Sequence, residues 1–215
     1  MHNPLLATWN APYGLPPFAE TRPEHFGPAF AAACAEHHAE LDAIAGNPEP
    51  ATFANTIAAF DRAGWKFVRF GEMFWNLSAA HTSPALEAVE RELAPKIAMH
   101  QSAVYMHQTL FSRIDTVVNS AEMQLLADED RRLAERVHLD FVRQGARIAA
   151  AQRERYAAIV GQLATLCTQF SQNVLKDETD WVLWLEDEAS RAGLPADVLN
   201  SARAAAAERG RADGC

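Results

Sequence analysis

Sulfur is scarce in this chain. Its 215 residues hold three cysteines, Cys34, Cys167 and Cys215, an odd number set far apart. Cys34 and Cys167 stand in apolar helical contexts, where a free thiol acts as a small hydrophobe. Such usage argues against a disulfide framework and for a reducing, cytoplasmic setting. Met1-His2-Asn3-Pro4-Leu5-Leu6 has no charged leader or long apolar run, so no secretory signal is expected. No stretch is long and apolar enough to span a membrane. Positive charge is also short: 19 Lys and Arg stand against 28 Asp and Glu, a net charge of −9. That balance repels a phosphate backbone, and no run of Lys and Arg offsets it: Arg131-Arg132 and Arg209-Gly210-Arg211 are short and lie among carboxylates. Nucleic acid and membrane are therefore excluded as expected partners. A Gly-x-Ser-x-Gly elbow, a glycine-rich phosphate loop and an internal repeat are missing too.

Histidine is plentiful, with eight residues, but poorly arranged for a metal. Adjacent His37 and His38 point to different faces of a helix. His37 with Glu40 falls short of the three or four ligands that zinc requires. His100 and His107 are two turns apart, about 10 Å on an ideal helix. No metal ligand and no catalytic residue is expected. Carboxylate groups such as Glu87 with Glu90, or Glu186-Asp187-Glu188, read as solvated faces.

The chain does carry long helical patterns. Pro4, Pro12, Pro16, Pro17 and Gly14 exclude regular helix at the start, so residues 1–20 read as an extended arm anchored by Phe18. A first helix is expected from Pro23–His25 to Ala45, ended by Gly46 as a left-handed cap. Thr52 caps a second. There Phe53, Ile57, Phe60, Gly64, Phe67, Gly71 and Phe74 alternate by four and three, giving a buried seam. Two glycines on that seam imply either close approach of a neighbour or a bend. Ser83-Pro84 opens a third helix, with Leu86, Leu93, Ile97, His100 and Val104 inward and Pro95 expected to kink or divide it. Shorter helices follow around Gln108 to Asn119 and from Asp128. A long one then carries Tyr156, Ile159, Leu163, Leu166, Phe170 and Val174. The fold class is mainly all-α, an antiparallel bundle of long helices. The lobe spans 21–178, and 179–215 holds a strand plus a helix. The strand, near 181–185, is Trp181-Val182-Leu183-Trp184-Leu185, dense in β-formers and bounded by acids. It has no convincing partner strand, so a missing or external one is implied.

Several segments carry a resemblance beyond helical pattern: Asn55-Thr56-Ile57, Phe74-Trp75-Asn76-Leu77-Ser78-Ala79-Ala80-His81-Thr82, Phe141-Val142-Arg143-Gln144-Gly145-Ala146 and Phe170-Ser171-Gln172-Asn173-Val174-Leu175. Leu110-Phe111-Ser112-Arg113-Ile114-Asp115 and Leu194-Pro195 add to them. In order and separation they resemble the N-terminal part of the peptidyl-dipeptidases. These belong to the thimet-oligopeptidase family of zinc metallopeptidases, with oligopeptidase A. The resemblance implies two helical lobes around a deep channel, short peptides as substrates, and an N-terminal lobe that walls the channel. It also implies a zinc held by His-Glu-x-x-His in the other lobe. That motif does not occur between Met1 and Cys215, so no catalytic or metal residue carries over. The expected reading is an N-terminal fragment of such a peptidase, inactive alone, covered by a missing catalytic lobe or by self-association. The alternative is a stand-alone noncatalytic helical module that binds peptides or a partner protein. His81 and Thr82, at a helix end, and Asn173 are the candidate contacts to channel or second lobe. Each also suits a structural role, tying a turn or a helix end.

Overall fold

The computed structural model describes residues 3–211, and the chain divides into two compact units after Phe170. Met1, His2 and Cys215 lie outside the described residues. The described residues are all-α, with no strand.

The first unit opens with turns. Asn3 Nδ2 donates to the His25 carbonyl at 2.8 Å, and a 3-10 turn spans Pro12–Gly14. Leu5, not Phe18, anchors this arm: Leu5 is buried, whereas Phe18 is 45% exposed. A 3-10 turn at Pro23–His25 leads into α1, Phe26–Ala45. Gly46 ends α1 with φ −86°, its N–H on the Asp42 carbonyl, so the left-handed cap expected there is absent.

The expected continuous second helix is broken. Thr52 and Asn55 exchange side chain–backbone bonds, which start a π-turn over Phe53–Ile57 and then α2, Ala58–Arg62. Gly64 has φ +76°, and α3 runs from Trp65 to Ala80. Bend and close approach are both realised at this glycine. A Cβ there would lie 2.8 Å from His37 Nε2, and its N–H donates to Glu40 Oε2 at 2.6 Å. Gly71 meets nothing nearer than Trp75 Cδ1 at 4.0 Å.

Ser83 Oγ accepts from the Leu86 N–H, and Pro84 begins α4, Pro84–Tyr105. Pro95 does not divide it. Buried Leu93, Ala94 and Ile97 flank the proline and hold both halves, outweighing the lost backbone bond. His107 Nδ1 caps α5, Gln108–Val118, by accepting from Leu110. Three acids open α6, Asp128–Arg143, where the helix dipole favours them. Two apolar clusters result. One joins Leu41 and Ile44 of α1 to Ile57, Leu110, Ile114 and Phe141; the other joins Phe26 and Ala29 to Phe70, Phe74 and Leu93.

The long pattern is realised as α7, Ala150–Asp180, but its apolar row stays open. Leu163, Leu166 and Phe170 are 54%, 60% and 69% exposed. Cys167 is exposed with them and not packed as a small hydrophobe, whereas burial pushes the Cys34 thiol up to about 11.

The second unit holds the end of α7, then α8, Glu188–Arg191, and α9, Ala196–Glu208. The strand expected near 181–185 is not formed; residues 181–186 have no regular structure. Arg191 explains how this segment does without a neighbouring strand. Its guanidinium donates to the Leu185 and Glu186 carbonyls, both at 3.0 Å. Arg211 stacks over Trp184 at 4.5 Å and pairs with Glu186. Side chains thus satisfy backbone groups that a ladder would otherwise take.

Candidate functional site

His81 ends α3 with its N–H on the Leu77 carbonyl, and its side chain is exposed. It lines a cleft of about 380 Å³ with Arg22, Phe26, Ser83 and Leu86. Half-buried Thr82 follows it and is not part of that lining. Asn173 lies in the second unit, exposed on α7.

A larger cleft, about 640 Å³, opens between the arm and α3. Trp65, Arg69, Glu72 and Asn76 reach it from α3 at steps of four, three and four, which is one helix face. Trp9 and Tyr13 close it from the arm. The Arg69 guanidinium lies 3.7 Å over the Trp9 ring. Among the described residues its one hydrogen bond is a long one, 3.4 Å, to the Ala7 carbonyl. Arg69 Nε is buried and has no partner among the described residues. Burial lowers the pKa of this guanidinium. Aromatic walls beside an underused cation suit a ligand with apolar groups and a carboxylate. Sequence reasoning missed this cleft. Its signal was the polar periodicity on the far side of the phenylalanine seam, but the opposing wall comes from an arm with no period to read.

The structure also brings distant His100 between the adjacent His37 and His38. His37 Nδ1 lies 3.0 Å from His100 Nε2, and His100 Nδ1 lies 3.1 Å from His38 Nε2. Adjacent residues on α1 thus bracket one ring of α4. His100 is 6% exposed, and its pKa falls to about 4, through burial first and then through His37 and His38. Burial also lowers His37, against the pull of Glu40. The resemblance places its zinc in the other lobe, and these imidazoles do not form a donor set for one. Both nitrogens of His100 are engaged by other imidazoles, and no group of three ligating side chains converges among the described residues. Nor, among those residues, is any helix long and apolar enough to cross a membrane.

No protein-family profile matches the chain. It is 33% identical over 208 residues to the dipeptidyl carboxypeptidase of Escherichia coli (strain K12). It is 31% identical over 208 residues to that of Salmonella typhimurium, and 28% over 210 to oligopeptidase A of Haemophilus influenzae. These alignments take in 97%, 97% and 98% of this chain but 30%, 31% and 30% of the relatives. The chain is therefore similar to dipeptidyl carboxypeptidases and oligopeptidase A along nearly all its length. It spans about 30% of the length of the curated relatives it matches.

Proposed function

We propose that this chain forms a noncatalytic helical wall of the substrate channel in a zinc-dependent oligopeptidase, acts on short peptides only as part of that enzyme, and works in the cytoplasm. The observation that carries this reading is the 33% identity over 208 residues to a dipeptidyl carboxypeptidase. The cleft between the arm and α3 supports it: aromatic rings offer apolar contact, and Arg69 offers a charge to a peptide carboxylate. The sequence contains no His-Glu-x-x-His, so nothing in it would hold a metal-bound water against a peptide carbonyl. The test uses the pure chain with a quenched short peptide, with and without zinc, and a titration of an uncleavable peptide with a free C-terminus. No turnover is expected, and peptide binding should quench tryptophan fluorescence. Arg69→Leu should weaken that binding about tenfold or more, the worth of one charge-assisted bond. Zinc-dependent turnover by the pure chain, or binding indifferent to Arg69, would defeat the proposal.

A stand-alone module that binds a partner is the second reading. The exposed row Leu163, Leu166 and Phe170 favours it, since so large an apolar face is usually covered.

A further inference from the structure

Away from both clefts, three imidazoles form one hydrogen-bonded row, His37–His100–His38, where α1 meets α4. Phe67 of α3 packs on the row, with ring centres 4.5 Å from His100 and 5.9 Å from His37. We propose that this row is an acid-sensitive latch: it takes up one proton with both N···N bonds intact and parts when a second arrives, loosening the junction of α1, α3 and α4.

The argument is a count of protons. Three neutral imidazoles carry three N–H protons on six nitrogens. Each of the two N···N bonds needs one proton, and the third sits on an outer nitrogen, His37 Nε2 or His38 Nδ1. Two arrangements satisfy this, with the row donating in one direction or the other. A fourth proton fills the remaining outer nitrogen, so the row becomes a cation and both bonds survive. A fifth must enter a nitrogen already used as an acceptor. Two N–H groups then face each other across about 3 Å, and that bond is lost.

The surroundings give the added charge little help. On α1, Glu40 acts on His37, but its Oε2 already accepts the Gly64 N–H. Glu36 of α1 is taken by Lys66 of α3, and Glu92 of α4 by Lys96. From α3 the row meets Phe67, and on α7 a Cβ at Gly161 would stand 3.8 Å from Cγ of Met99, the neighbour of His100. No carboxylate is hydrogen-bonded to any of the three rings among the described residues.

Imidazole ¹⁵N spectra of the whole chain between pH 7.5 and 4 test the count directly. One proton should enter the row while His100 stays neutral, and signals of the junction should broaden or shift when the second enters. Urea unfolding at each pH adds a second measure. With His100 at about 4 when folded and 6.5 when unfolded, its unfolding constant should rise about twentyfold between pH 7 and pH 5. His100→Phe, which fills the site without titrating, should lack that increment. A His100 ring that protonates near 6.5 in the folded chain overturns the latch. So does an equal pH dependence in wild type and variant. If the variant does not fold, the wild-type spectra decide.

Discussion

Replacing Gly64 by alanine adds one methyl group, and the structure sets its cost. The residue has φ +76°, a region where a Cβ costs roughly 1–2 kcal/mol. The new carbon would stand 2.8, 2.9 and 3.0 Å from three atoms of the His37 ring. That ring must swing away, at about 0.5–1.5 kcal/mol for an off-rotamer side chain. Moving it also breaks its bond to His100, a further loss of roughly 0.5–1.5 kcal/mol. The sum is about 2–5 kcal/mol. With a urea slope of about 2 kcal/mol/M, the unfolding midpoint should fall by about 1–2.5 M. Gly71→Ala is the matched control. It lies inside α3, outside the left-handed region and with no atom closer than 4.0 Å, so the same methyl should add up to about 1 kcal/mol of helix stability. Denaturant curves for the two variants should therefore move in opposite directions. A Gly64→Ala midpoint within experimental error of wild type would refute the account of this junction.

Two other perturbations follow from packing. Phe141 is fully buried against Phe60, Tyr105 and Phe111, so Phe141→Ala should cost about 3–5 kcal/mol in the same assay. Leu163→Glu with Leu166→Glu places two charges on the open row of α7. It should leave thermal stability nearly unchanged yet shift sedimentation toward monomer; a wild type that is already monomeric at high concentration would remove the case for a covering surface.

Helix starts were legible because their causes are local. Thr52, Ser83-Pro84 and the Asp128-Glu129-Asp130 turn each sit within a few residues of the backbone groups they satisfy. The strand near 181–185 was misread for the same reason. A run of β-formers reports preference, but among the described residues no strand pairs with it, and Arg191 reaches back to the Leu185 and Glu186 carbonyls. The glycine seam gave both of its alternatives without deciding between them. Among the candidate contacts, His81 proved to line a cleft, but the cleft itself was invisible, since its walls come from Arg22 and Phe26 as well as α3 and α4.

By itself the sequence determined the helical class, most helix boundaries and the kinship with oligopeptidases, because these rest on period, capping and residue identity along the chain. Only the tertiary structure decided where Arg69 meets Trp9, why Gly64 must lack a side chain, and that His100 lies between His37 and His38. Those partners stand some sixty residues apart, except for Gly64 and His37, and even they sit on separate helices. Contacts of that kind exist only once helices pack, and no local pattern encodes which side chains packing will bring together.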